Sequence, residues 1–407
     1  MLDIAATCLA VTALLAYLNH RFVRLPTTIG VMAIALALSL AIVALDVLGV
    51  SNALRIYEES LLRSIDFSDV LMQGMLSVLL FAGALHVDLS ELKALRWPVA
   101  SLALLGTLVS TFFVGYGLSL ALPWVGLDLP LMYCLLFGAL ISPTDPIAVM
   151  SILKSAGAPK DLELVITGES LFNDGVGIVI FAILLSMLTS GVTPTTGSAL
   201  ALLGREAGGG IVFGLVLGYV TYRLLKSVDE YQVEVLLTLA AVTGGYALAS
   251  HLHISGPLAM VVTGLIIGNQ GRALAMSRTT RRYVDMFWEL LDAILNAVLF
   301  VLIGMEVLLI SFSQPVLAAG GVAIVVTLFA RLLSVGMPVA GFGARFGLPP
   351  GAWRVVTWGG LRGGISVALA LSLPLGEYRD TVIALTYCVV VFSILVQGLS
   401  IGRKVRA

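Results

Sequence analysis

Three acids, Asp145, Glu169 and Asp174, lie in two short motifs, SPTDPIAV at 142–149 and GESLFNDGVG at 168–177. Both motifs sit inside apolar sequence long enough to cross a bilayer. A charge in hydrocarbon costs about 3 kcal/mol on insertion scales and more by other estimates, so acids at that depth need compensation. In the first motif Asp145 is placed as an N-cap and Pro146 as the first residue of a following half-helix. The carboxylate then faces the positive end of that half-helix. Pro143 and Pro146 also remove helical hydrogen bonds. The carbonyls so released, together with Thr144, can ligate a cation. A capped proline kink with no ligand uses the same residues.

In the second motif Ser170 and Asp174 share one helical face at i and i+4, and Glu169 and Asn173 share the adjoining one. A hydroxyl, an amide oxygen and two carboxylates therefore converge. Such hard oxygen ligands suit an alkali cation or a proton rather than a soft metal. A polar helix–helix contact is the plainer alternative. Two cations compensate: Arg331, in Phe329-Ala330-Arg331-Leu332-Leu333, and Arg362, in GGLRGG at 359–364. One acid is left over, as a site alternating between a proton and a monovalent cation requires; a fixed five-charge network is the other reading. Glu306 either faces a cation path from the other half of the chain or bonds a neighbouring helix. Asp292 and Glu234 fall near the ends of apolar runs and are expected to be solvated.

The elements that must position these residues follow from composition. Of 407 residues, 59% are hydrophobic and 12% charged, against about 25% charged in soluble chains. The sequence predicts an all-α membrane protein of about 13 transmembrane helices. The spans run at about 3–19, 27–46, 68–86, 98–122, 129–153, 162–189, 207–225, 231–251, 256–271, 287–311, 315–342, 352–373 and 380–401. The first run lacks a preceding basic region and a cleavage site, so it reads as a retained helix. Seventeen basic residues fall in the loops after odd-numbered spans and four in the other set. The positive-inside rule then places the N-terminus outside and the C-terminus in the cytoplasm. Spans 5 and 12 are both interrupted by Pro or Gly. If spans 1–6 and 8–13 are two repeats around span 7, the repeats are inverted and the interruptions are equivalent, the pattern of a transporter's midplane site. The net charge of −1 offers no field for nucleic acid, and Cys8, Cys134 and Cys388 fit no metal site.

SPTDPIAV, GESLFNDG at 168–175, Arg331 and GGLRGG, in that order, closely resemble the cation:proton antiporter-1 family, over essentially the whole chain. The resemblance implies an NhaA/NapA-like fold with two unwound, crossing helices. It implies a core (transport) bundle at about 98–190 and 315–401, a dimerisation or scaffold bundle at about 1–97 and 231–311, and a linker helix at about 207–225. The implied activity is secondary antiport of Na⁺ (or Li⁺) against H⁺ by a homodimer in a lipid bilayer, a prokaryotic inner membrane, with no enzyme chemistry and no cofactor. K⁺/H⁺ antiport is the alternative within the family. By residue, Asp174 is similar to the carboxylate that binds either Na⁺ or H⁺. Ser170 and the Thr144 carbonyl are similar to further Na⁺ ligands. Asp145 resembles the acid that reaches the ion through water, and Asn173 the partner that orients the site. Glu169 and Arg331 resemble the family's structural ion pair, and Arg362 the counter-charge at the span-12 break. Asn173 in place of a second acid implies electroneutral 1:1 exchange. Phe81 stands where several relatives carry an acid. An intramembrane aspartyl protease would need a Gly-x-Gly-Asp motif, which is absent from the sequence. A channel would need a continuous filter rather than paired helix breaks.

Overall fold

Backbone polar groups in hydrocarbon must be satisfied within their own segment, which leaves helices as the building block for a chain of this composition. The computed structural model describes residues 2–47, 74–146, 149–150, 153, 157–190, 197, 204–309, 313–343 and 347–406. Arg55, Arg63, Lys154, Arg345, residues 68–73 of the third expected span, and Ile147 and Ala148 of the first motif lie outside these.

Every described element is helical. In chain order they are α1 (Leu2–Leu18), α2 (Thr27–Val47), α3 (Leu76–Leu85), α4 (Arg96–Val125), α5 (Leu131–Ile141), α6 (Lys160–Ser190) and α7 (Gly204–Leu225). There follow α8 (Tyr231–His251), α9 (Gly256–Ile266), α10 (Arg278–Met305), α11 (Gln314–Phe342), α12 (Ala352–Trp358), α13 (Gly364–Leu371) and α14 (Arg379–Gly402). Among the described residues nine helices are long and apolar enough to cross a membrane, and α3 and α5 are shorter apolar helices. Local sequence explains several starts. Ser255, Ser277 and Ser313 accept backbone N–H bonds from Leu258, Thr280 and Val316, so α9, α10 and α11 each begin on a serine cap. Pro257 and Pro315 sit in the first turn, where no helical donor is lost.

Packing is inside-out relative to a soluble protein. On α4 the exposed face carries Leu105, Val109, Phe112, Phe113, Tyr116 and Leu120. Its buried face carries Thr107, Ser110, Thr111 and Gly115. Where the surroundings are apolar, association rests on close van der Waals fit and small residues rather than on apolar burial. The α4–α5 contact shows it: a methyl group at Gly138 would overlap the Thr111 carbonyl oxygen, and one at Gly115 would press on Leu135. Helices α4, α5, α6, α11, α13 and α14 pack on one another, and so do α2, α3, α8, α9 and α10, with α7 against α8 and α9. Helix α6 touches α3 and α9, and α10 touches α13, so the two sets meet along α6 and α13.

Gly138→Ala is therefore expected to destabilise by about 1–3 kcal/mol, the usual cost of overpacking. Gly244→Ala, on an open face of α8 with nothing within 4 Å of the added carbon, is expected to leave stability unchanged or raise it. Melting of the purified variants in detergent checks the contrast.

Candidate ion site

Helix α5 stops at Ile141, two residues short of Pro143, and Ser142 closes it by donating its hydroxyl to the Gly138 carbonyl at 2.6 Å, with Ser110 Oγ in hydrogen-bond reach of the same hydroxyl at 2.9 Å. The chain is non-helical through Pro146, after which the Val149 and Met150 N–H groups donate to the Pro146 carbonyl at 3.1 and 2.7 Å. The second interruption, Gly359 to Gly363, separates α12 from α13. The two breaks abut. The Asp145 N–H donates to the Leu361 carbonyl at 2.8 Å. Arg362 is 2% exposed and its Nη1 donates to the Ser142 and Pro143 carbonyls at 2.8 and 3.0 Å. Its own N–H donates to Ser393 Oγ at 2.8 Å. Glycine is required at the contact, because a side chain at Gly363 would overlap the Asp145 carboxylate and one at Gly360 the Arg331 guanidinium.

Helix α6 supplies the rest. Glu169, 1% exposed, takes a two-pronged bond from Arg331, Nη1 to Oε1 at 2.5 Å and Nη2 to Oε2 at 2.7 Å. Arg331 Nη2 also donates to the Val356 carbonyl at 3.1 Å, tying α11 to α12. One turn on, Asn173 is wholly buried. Its Oδ1 accepts the Thr144 N–H at 3.2 Å, and its Nδ2 donates to Thr144 Oγ1 at 2.8 Å and Glu169 Oε1 at 3.0 Å. Ser170 Oγ and Thr144 Oγ1 lie 2.8 Å apart. The α5 break is thus bound on one side by Arg362 and on the other by Asn173.

Beside it lies a cavity of about 110 Å³, walled by Pro143, Thr144, Asp145, Asp174, Asp292 and Asn296 among others. Asp174 is 7% exposed. No hydrogen bond from a described residue reaches its carboxylate. A carboxylate on a cavity wall with no protein donor must be stabilised by what enters the cavity: water, a proton, or a cation.

The structure brings together Thr144, Asp145, Glu169, Ser170, Asn173, Asp174, Arg331 and Arg362. Ser170 and Asn173 stand behind the cavity wall rather than on it. Glu306 is buried but does not line the cavity; Arg379 and Tyr387 are its charged and phenolic neighbours. Phe81 is fully buried and faces away from the cavity, its ring 4.6 Å from that of Trp288. Trp288 donates to Thr238 Oγ1 at 3.0 Å, so residue 81 belongs to an aromatic contact between α3 and α10. Two expectations of solvation are corrected. Glu234 is fully buried, and Asp292 lines the cavity. Asp292 was placed near a span end because the apolar run begins at about 287. Helix α10 begins instead at Arg278, on the Ser277 cap, which carries Asp292 well into the bundle. The Ser277 cap is the signal that would have found it.

The family described as sodium/hydrogen exchanger, transmembrane, matches residues 10–407. The Na⁺/H⁺ antiporter NhaP of Pseudomonas aeruginosa is 56% identical over 410 residues, covering 100% of this chain and 96% of that protein. The Na⁺/H⁺ antiporter NhaH of Halobacillus dabanensis is 37% identical, covering 86% of this chain and 85% of its own. The structure of the sodium proton antiporter MjNhaP1 from Methanocaldococcus jannaschii at pH 8 superposes with a TM-score of 0.76 at 20% identity, covering 98% of this chain and 96% of that one.

Glu169→Ala is expected to destabilise by about 3–5 kcal/mol, because it strands a buried guanidinium. Replacing Glu169 and Arg331 together by Met is expected to cost less than either single change. A double-mutant cycle on detergent melting temperatures checks this, and additive losses would count against the pair.

Proposed function

The chain belongs to the sodium/hydrogen exchanger family, and from that premise we propose that it is a secondary antiporter exchanging Na⁺ (or Li⁺) for H⁺ at Asp174. The observation that carries this reading is the Asp174 carboxylate, buried on a cavity wall with no donor among the described residues. The relatives named above are Na⁺/H⁺ antiporters, which favours Na⁺ and lends nothing to K⁺ exchange.

On this reading Na⁺ is held by Asp174 and the Thr144 carbonyl, with Ser170 as a further oxygen and Asp145 acting through water. Thr144 is presented by the α5 break, and Asn173 keeps its N–H and hydroxyl in register. Glu169 and Arg331 cancel one another and take no part in the exchange. Arg362 holds the break closed and offsets Asp145. A proton arriving at Asp174 neutralises it and releases the cation. Either occupant leaves the site with the same charge, so one proton exchanges for one Na⁺ without net charge movement, and Asn173 adds no second titrating group.

The architecture that goes with this mechanism has thirteen spans in two inverted repeats, with α12 and α13 as the halves of one span. The core bundle, about 98–190 and 315–401, slides against the scaffold, about 1–97 and 231–311, with α7 as linker. Two copies associate through the scaffold in a bacterial inner membrane, with the N-terminus outside and the C-terminus in the cytoplasm. The separate packing of the two helix sets and the basic residues of alternate loops support this arrangement.

Reconstituted in proteoliposomes, the protein is expected to move protons when Na⁺ or Li⁺ is added and to move far fewer with K⁺. Asp174→Asn is expected to abolish that flux while the protein still elutes as a folded species. Retained Na⁺-dependent flux in the variant would refute the assignment. The wild-type flux is expected to be indifferent to an imposed membrane potential, and a potential-dependent rate would refute the 1:1 exchange.

A further inference from the structure

Helix α10 carries Asp285, Glu289, Asp292 and Asn296 at i, i+4, i+7 and i+11. At 100° per residue they fall within about 60° of arc, a single polar stripe on a helix that is otherwise largely apolar beyond Arg282. Burial is greatest at its Asn296 end. The Asp285 side chain is 30% exposed, Glu289 is exposed, Asp292 is half-buried on the cavity wall, and Asn296 is 1% exposed. Asp285, nearest the basic end of the helix, is held by Arg272 and lies 3.9 Å from Arg281. Neither Glu289 nor Asp292 has a cationic partner among the described residues. Asn296 donates to the Asp292 carbonyl at 2.9 Å, so its amide steadies the helix there without neutralising the carboxylate.

The cavity therefore has carboxylates contributed by both helix sets. Asp145 and Asp174 come from the broken α5 and from α6, and Asp292 comes from α10, across the line where the two helix sets meet. A cleft lined by one sign of charge between low-dielectric walls concentrates counter-ions. The unpartnered Asp174 carboxylate faces the same space and gives the concentrated ion its destination.

We propose that Asp292 is the capture residue of this site: it draws the monovalent cation into the cavity and passes it to Asp174, with Glu289 one turn earlier as the approach. The inference rests on the exchange reading above and adds the residue that sets apparent cation affinity. Asp292 belongs to the other helix set from the exchanging carboxylate, so its part is in loading rather than in carrying the ion.

Proton flux in proteoliposomes at one fixed pH, titrated with Na⁺, tests it. Asp292→Asn is expected to raise the half-saturating Na⁺ about tenfold while the maximal rate falls by much less. Asp292→Glu is expected to recover most of the shift, a rescue that a packing role would not give. Glu289→Lys, at an exposed position where folding is not at issue, is expected to raise half-saturation several-fold. Asp292→Asn with wild-type half-saturation overturns the inference while leaving Asp174 exchange standing, as does a lost maximal rate with half-saturation unmoved. An unshifted Glu289→Lys overturns it independently. A wild-type protein with no Na⁺-dependent proton flux brings down the exchange reading and this inference with it.

Discussion

The bond between Arg362 and the carbonyls of Ser142 and Pro143 is the contact on which the site depends. Two prolines within four residues cut α5 and set backbone groups loose at Ser142, Pro143 and Thr144, all of them buried. Left unpaired, each would cost on the order of 1–3 kcal/mol. The structure answers them from both sides. Arg362 covers two carbonyls, the Leu361 carbonyl takes the Asp145 N–H, and Asn173 takes the Thr144 N–H. One break is satisfied largely by the other. That is why the two occur together, and why glycine must flank Arg362: only a bare backbone lets the two non-helical segments come so close.

Charge is distributed in the same spirit. The Glu169 carboxylate and the two Nη groups of Arg331 bond each other, Asn173 and the Val356 carbonyl, while Arg331 Nε is buried with no partner among the described residues. Arg362 is spent on carbonyl oxygens. What remains on the cavity wall is carboxylate: Asp145, Asp174 and Asp292. In the proposed exchange the pair fixes geometry, and Asp174, which takes no hydrogen bond from a described residue, is left for an ion. Glu169 and Asp174, two acids five residues apart on one helix, differ in setting: Glu169 is ion-paired with Arg331, and Asp174 has no ion pair among the described residues.

Much of this was legible in the sequence, for identifiable reasons. Helix breaks in hydrocarbon announce themselves through Pro and Gly, and buried charges are rare enough that each demands a partner. The shared faces of Glu169 with Asn173 and of Ser170 with Asp174 followed from helical spacing; the meeting of Thr144 with Ser170 and Asn173 followed from the family resemblance. What sequence could not supply was which side of a helix faces the cavity. Phe81 and Leu80 are neighbours on α3, yet Leu80 lines the cavity and Phe81 packs on Trp288. Glu306 is buried like a site residue but lies elsewhere. Asp292 was hidden by a hydropathy reading that began the helix where its apolar run begins. A serine cap at 277 set the true start, and amphipathic turns before the apolar run lengthened the helix inward.

The same electrostatics bear on coupling. In the proposed exchange the site crosses only when Asp174 holds Na⁺ or H⁺. An empty site would cross as a bare carboxylate, at a cost of about 3 kcal/mol or more in a hydrocarbon setting. Since about 1.4 kcal/mol is a factor of ten in rate, that cost alone suppresses the empty crossing roughly a hundredfold. Asp145 and Asp292 raise it further, because like charges facing one cavity disfavour an additional bare one. The acids that draw a cation in also penalise its absence. Tight exchange then needs no separate gate: the charge left behind by an unloaded site is itself the barrier.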